Sequence, residues 1–272
     1  MKCLVMLPCH NEEQNLEKLI LTLHEALHTQ MPYRIIAVND GSTDGTGGVL
    51  YKLSEKYPIT VAEHERNGGL ASAFRTGLRL AMENASGEDL IVTMDADNTH
   101  DPKYITRLAK EAERSGVAIS SRYTEGGRQL HVPSYRVVLS RVLNLFIKAF
   151  TRMPVKDATS GYRCYKASAL RKTMQVFGEK FIKSKGFEVS CEILLKTYWC
   201  NGSVGEVPNT LDYSKKLGRS KIKIMPTILS YILLLGKVLL WRTSGVPGLE
   251  TRYSLQSSEG IWRSRRCSPQ AS

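Results

Sequence analysis

The chain has no Cys-x-x-Cys pair. Its six cysteines (Cys3, Cys9, Cys164, Cys191, Cys200, Cys267) are scattered, which excludes a paired-thiol motif and reads as reduced, mostly structural thiols of a cytoplasmic protein. Residues 2–7, closed by Pro8, have the length and composition of a buried strand, so this first apolar run is expected to be a strand and not a secretory signal. The chain has no base-stacking aromatic platform or other nucleic-acid motif. The excess of 38 Lys plus Arg over 26 Asp plus Glu, a net +12, therefore points to nucleotide phosphates, lipid phosphates or an acidic membrane surface and away from nucleic acid. Long hydrophobic runs are lacking too, with a single exception at residues 222–241. What is present, at 272 residues and 42% hydrophobic, is enough for one large globular domain with a short appendage.

The first half repeats one grammar, a short apolar strand followed by an amphipathic helix. Strands are expected at 2–7, 34–38, 59–62, 90–94 and 117–121. The first helix is capped by Asn11, carries Glu12 and Glu13 at its positive end, and repeats Leu16, Leu19, Ile20, Leu23 and Leu27 at helical spacing. Further helices are expected from Val49, over 70–82 and over 102–114. Alternation of this kind predicts an α/β fold with a mostly parallel sheet, helices on both faces, and ligands beyond the carboxyl ends of the strands. After residue 132 the pattern turns helical, at 135–150 and 181–199. Glu188 and Glu192, one turn apart in the latter, read as a solvated helix face or as the acceptor side of a cleft.

The polar residues follow that geometry. His10, Asn11 and Glu12 follow the first strand, Asp40 and Asp44 the second, Asp95 and Asp97 the fourth, and Arg122 the fifth, so four separate clusters are expected to meet in one cleft. Asp95 and Asp97 are two residues apart, and in extended backbone they point to the same side. Two carboxylates with oxygen-only ligation suit a hard cation, Mg²⁺ or Mn²⁺, completed by substrate phosphates. Asp40 is placed to accept hydrogen bonds from a base or ribose, with Gly41 letting the backbone come close. His64, His100 and His131 stand alone and read as structural. His24 and His28, four apart on one helix, read as an amphipathic surface and not a zinc site.

The motifs LPCHNE, NDGSTDGT, GLASAFRTGL, DADNTHDP, SSRY, DATSGYR and GRSKI, in this order over roughly residues 1–240, resemble glycosyltransferase family 2, in the branch of polyprenyl-phosphate sugar transferases of the dolichyl-phosphate mannosyltransferase type. The resemblance implies a GT-A type fold. It also implies inverting transfer of a hexose from a nucleotide sugar of the GDP-mannose or UDP-glucose type to a polyprenyl phosphate. Carried over, Pro8, His10, Glu12, Val38 and Asp40 would line the nucleoside pocket, Asp95, Ala96 and Asp97 the metal and diphosphate, and Arg122, Arg219 and Lys221 the cationic side. Asp97 is assigned to metal and leaving-group work, Arg163 to phosphate, and Asp157 to orienting Arg163 or a sugar hydroxyl. Two positions depart from the family pattern: His10 stands where Tyr is common, and Thr99 where a Gln is a further metal ligand. The Gln-x-x-Arg-Trp sequence of processive members is absent. A transferase acting on a glycan or protein hydroxyl, and a catalytically silent nucleotide-sugar-binding subunit, stay open as alternatives.

The domain is expected to end near residue 221. Residues 222–241 follow as a membrane-associating helix, and 242–272 as a disordered tail. The 18 residues from Ile224 would span about 27 Å against a hydrocarbon core of ~30 Å. Lys223, Thr227, Ser230 and Lys237 share one face of that helix, so it is expected to lie in the interface in preference to spanning. The basic residues Lys215, Lys216, Arg219, Lys221 and Lys223 would set it against the cytoplasmic leaflet. A separate membrane subunit remains a possible partner.

Overall fold

Each apolar run of the first half becomes a strand whose polar sequel turns into a helix, in a computed structural model that describes residues 1–218 and 224–243. The order is β1 (Cys3–Cys9), α1 (Glu13–Leu27), β2 (Tyr33–Asp40), α2 (Thr46–Ser54), β3 (Ile59–His64), α3 (Leu70–Glu83) and β4 (Leu90–Thr93). A 3-10 turn, Pro102–Tyr104, leads into α4 (Ile105–Ser115), then β5 (Val117–Ser121), β6 (Arg128–Leu130), α5 (Ser134–Thr151) and β7 (Arg163–Lys166). The chain continues through α6 (Ala167–Phe177), α7 (Val189–Asn201), β8 (Gly205–Pro208), β9 (Thr210–Asp212) and α8 (Ile224–Thr243). Seven strands pair in the order β3-β2-β1-β4-β7-β5-β8, all parallel except β7, which runs antiparallel to both β4 and β5. β6 and β9 form a separate parallel ribbon.

Alternation along the strands sorts the core into two layers. Cys3, Val5, Leu7 and Cys9 of β1 pack under α1, α2 and α4, while Leu4 and Met6 face α3, α7 and α8. Burial pushes the Cys3 and Cys191 thiols up to about 12, which makes them inert packing groups.

Three expectations are corrected here. The helix expected over 181–199 starts only at Val189, because side chains hold the preceding segment open. Glu192 accepts the backbone N–H groups of Lys183 and Ser184, and Glu188 those of Lys185 and Gly186. Neither glutamate forms a solvated face: both are buried, and Glu192 is paired with the equally buried Lys196 at 2.5 Å. Finally, α8 is no appendage. Tyr231, Leu234, Leu235 and Val238 complete the main core, and Trp241 meets Trp199 edge-on with ring centroids 5.8 Å apart. Arg219, Lys221, Lys223 and the tail from 244 lie outside the described residues. Among the described residues no helix is long and apolar enough to cross a membrane.

Candidate functional site

The polar residues that follow β1, β2, β4 and β5 sit together along the carboxyl edge of the sheet. At the β1–β2 end, Asp40 is buried and its Oδ1 accepts from the Gly68 N–H at 2.9 Å and from His64 Nδ1 at 2.7 Å. His64 Nε2 in turn meets the Thr76 hydroxyl at 2.9 Å, so this histidine, expected to be structural, fixes a cleft carboxylate. His10 reaches the Asp40 carbonyl through Nδ1 at 2.9 Å and Asn67 through Nε2 at 2.9 Å. Gly41 has φ +59°, and a Cβ there would stand 2.3 Å from the Asn67 backbone nitrogen, so only glycine fits. Pro8 is half-buried beside Val38 in register. The Val38 side chain is fully buried toward α3, and Ala96 is buried as well, so at both positions a ligand would meet main chain.

Glu12 anchors a second layer. Asn15 donates through Nδ2 to Glu12 Oε2 at 2.7 Å and to the Leu217 carbonyl at 3.1 Å, while its Oδ1 accepts the Leu217 N–H at 3.1 Å. Asn98, in the left-handed region at φ +63°, donates to the Asn15 carbonyl at 2.9 Å. A segment 202 residues downstream of Asn15 is thereby tied to the edge of the sheet beside Asp97.

The two aspartates differ in surroundings. Asp95 opens into the cleft with its side chain 51% exposed, and His100, stacked on Tyr162, stands 4.0 Å from its Oδ2. Asp97 is nearly buried, and both of its oxygens are engaged. Oδ1 accepts from the Thr99 hydroxyl at 2.6 Å and its N–H at 3.2 Å, and Oδ2 from the Lys216 ammonium at 2.5 Å. Burial alone would raise Asp97, but Lys216 outweighs it and holds the carboxyl low. The set fits a hard divalent ion: all donors are oxygens, one carboxylate is open, and the other already holds a cation. The Thr99 hydroxyl is directed at Asp97 as a donor. No group of three or more His, Cys, Asp or Glu surrounds one point among the described residues, so a metal here would complete its shell with water or phosphate oxygens.

The opposite wall is basic. Arg122 follows β5 and forms a forked pair with Asp157, Nε to Oδ2 at 2.7 Å and Nη2 to Oδ1 at 2.6 Å, with a further bond to the Thr159 hydroxyl at 2.8 Å. Burial would raise Asp157, yet the Arg122 guanidinium holds it below the usual carboxylate range. Asp157 therefore orients Arg122 and not Arg163, which corrects the expectation for both. Arg163 is wholly buried. It donates to the carbonyls of Ser190 and Ala158 and to the Tyr165 hydroxyl, so its guanidinium clamps backbone instead of facing phosphate. Beyond Arg122 a groove of about 460 Å³ is lined by Tyr123, Arg141, Asn144, Lys148 and Lys156. The Tyr123 ring has Arg122 at 5.2 Å and Arg141 at 5.7 Å, so two cations pack on one aromatic ring. Only β7 separates β4 from β5, so the acidic residues after β4 and Arg122 after β5 lie on the same edge of the sheet.

Comparison with known proteins gives the same picture. The model of "Glycosyl transferase family 2" matches residues 4–174. The chain is 34% identical over 266 residues to the dolichol-phosphate mannosyltransferase of Pyrococcus furiosus, covering 96% of this chain and 70% of that one. It is 31% identical to the polyprenol monophosphomannose synthase of Mycolicibacterium smegmatis, covering 81% of each. Among solved structures, glucosyl-3-phosphoglycerate synthase from Mycobacterium tuberculosis in complex with Mn²⁺, UDP and glucosyl-3-phosphoglycerate superposes with a TM-score of 0.62 at 17% identity, over 91% of this chain and 81% of that one. That likeness shows a shared fold.

Proposed function

We infer the reaction from kinship and geometry together: the chain belongs to glycosyl transferase family 2. It is a glycosyltransferase that moves a hexose, mannose in the first instance and glucose in the second, from a nucleotide sugar to a polyprenyl phosphate with inversion. The observation that carries this reading is the open carboxylate of Asp95 beside the engaged one of Asp97, on the same sheet edge as Arg122.

His10, Asp40 and the main chain at Pro8 and Val38 would receive the nucleoside, with Glu12 stiffening that edge through Asn15, and the main chain at Ala96 would meet the diphosphate. Asp95 and Asp97 would hold Mg²⁺ or Mn²⁺, whose contribution is to neutralise the charge that develops on the leaving diphosphate. A polyprenyl phosphate arrives already anionic, so no side chain need act as a strong base. The acceptor's chemistry asks instead for cations that position it in line with the anomeric carbon. Arg122, oriented by Asp157, and Arg141 across Tyr123 offer that seat, and Arg219 and Lys221 are proposed to add to it.

An exposed apolar face supports peripheral seating on a membrane. Met225, Leu229, Ile232, Leu233 and Leu240 of α8 are more than half exposed while the opposite face of the same helix is in the core. On the neighbouring α5, Tyr135, Val138, Leu145 and Phe146 are also more than half exposed. Such a face suits the headgroup boundary.

The test is direct. Full-length protein with Mg²⁺ or Mn²⁺, a polyprenyl phosphate and labelled GDP-mannose or UDP-glucose should yield a lipid-linked sugar. Asp97→Asn should lower the rate by roughly a hundredfold or more, as removal of a preorganised charge does. Absence of lipid-linked product with every common donor would refute the assignment.

A further inference from the structure

Lys216 has the attributes of a bound ion more than those of a surface lysine. Its ammonium is 2.5 Å from Asp97 Oδ2, its side chain is only 16% exposed, and Glu12 and Asp95 also act on it. A carboxylate from the sequel of β4 thus holds one positive charge at close range. The residue is also delivered there deliberately by its backbone. The adjacent Leu217 is clamped through both N–H and C=O by the buried Asn15, and Lys215, next in line, pairs with Asp101 at 3.4 Å. Upstream, Asp212 caps the Tyr213–Lys215 turn through the Ser214 N–H and meets His131 at 2.9 Å. Residues 212–217 form a strap laid across the acidic wall.

A divalent ion held by Asp95 and Asp97 requires an oxygen of Asp97. Oδ1 is occupied by two bonds from Thr99 within the same turn, so Oδ2 is the oxygen that faces ligands, and Lys216 is on it. We propose that Lys216 is a built-in competitor for the metal, so that metal loading and release of the 212–217 strap are a single event. The inference rests on the metal-dependent reading of the site given above, and on Lys216 as a positioning residue that does not itself touch the reacting atoms.

Mn²⁺ binding to the full-length protein, followed by the loss of the free-ion electron paramagnetic resonance signal, tests it without turnover. Lys216→Met should tighten Mn²⁺ roughly tenfold to a hundredfold, the range of one lost charge-assisted hydrogen bond. Lys215→Met removes an equal charge one residue away, from a pair with Asp101, and should change the affinity by about threefold at most. Asn15→Ala, which unlatches the strap and leaves its charges intact, should tighten Mn²⁺ in the same direction as Lys216→Met. Equal effects of Lys216→Met and Lys215→Met, or weaker binding in Lys216→Met, would overturn the proposal while leaving the metal site standing, provided Asp97→Asn still abolishes Mn²⁺ binding. If neither the natural protein nor Lys216→Met binds Mn²⁺ at millimolar concentration, the metal reading and this inference fall together.

Discussion

Asp157→Asn is the substitution that separates a pair held for geometry from a pair held by chance. In the natural protein Asp157 is fully buried and takes three bonds from Arg122, through its backbone N–H at 2.8 Å, Nε and Nη2, while the side chain of Arg122 is 15% exposed. Asparagine keeps the shape and one acceptor oxygen but leaves the guanidinium without its counter-charge. Breaking a buried pair from one side costs about 3–5 kcal/mol, and because Arg122 borders an open groove the low end applies, about 3 kcal/mol. With a urea dependence of about 3 kcal/mol per molar for a chain of this size, the unfolding midpoint should fall by about 1 M. Asp212→Asn is the matched control. Its partner His131 is largely exposed, and no resolvable shift in midpoint is expected. The pH dependence carries a sign. Asp157 is held below its unfolded value, so its contribution is complete above that value and disappears as pH falls through the folded one. The gap between natural protein and variant should therefore hold from pH 7 down to about 5 and close below about 4. A midpoint loss under 0.2 M at pH 7, or a gap that widens on acidification, would refute the reasoning.

Two further substitutions test the packing and the exposed face. Gly77→Ala puts a Cβ 2.5 Å from Met6 Cγ and 3.2 Å from Val38 Cγ2, so overpacking of about 1–3 kcal/mol should exceed the helix gain of about 1 kcal/mol; a higher melting temperature would contradict this. On α8, Ile232→Glu with Leu240→Glu alters side chains that are 58% and 65% exposed. Co-sedimentation with anionic vesicles should fall at least about tenfold with little change in melting temperature, since each buried aliphatic side chain is worth about 1.5 kcal/mol or more. Val238→Glu, on the buried face, should instead unfold the protein. Unchanged vesicle binding in the double variant would sink the membrane assignment of this face.

The strands up to β5 were legible because each is an apolar run ended by turn residues, and the acids and Arg122 were legible because they follow those runs. β7, β8 and β9 were not, since three or four residues carry no readable periodicity. Lys216 was legible only as one of several lysines before an apolar stretch. Its pairing with Asp97 spans 119 residues and depends on the Asn15 latch, which no local pattern announces. His64 was likewise hidden, because its role comes from β2 and β3 lying side by side, with Asp40 and His64 in register. The apolar composition of α8 was plain, yet it suits both a core and a lipid surface, and the helix uses one face for each. The buried stripe, Tyr231, Leu234, Leu235 and Val238, is not marked off in the sequence from the exposed apolar one.

The reversal of β7 explains why the DATSGYR segment reaches the carboxyl edge of the sheet and yet pairs otherwise than expected. In a parallel sheet, residues just before a strand lie at the edge opposite the ligand edge. Because β7 is antiparallel, its first residue, Arg163, aligns with Thr93 at the end of β4 and with Ile119 near the end of β5. Residues 157–162 therefore enter at the carboxyl edge, where β4 delivers Asp95 and β5 delivers Arg122. Gly161 comes to lie beside both Asp95 and Ser190, and Asp157 reaches Arg122. Arg163 itself is the first residue inside the sheet, which is why its guanidinium turns to buried carbonyls and has no route to the cleft. One strand direction thus joins an acidic wall made by β4 to a basic wall made by β5, and a parallel β7 would have left Arg122 without its carboxylate.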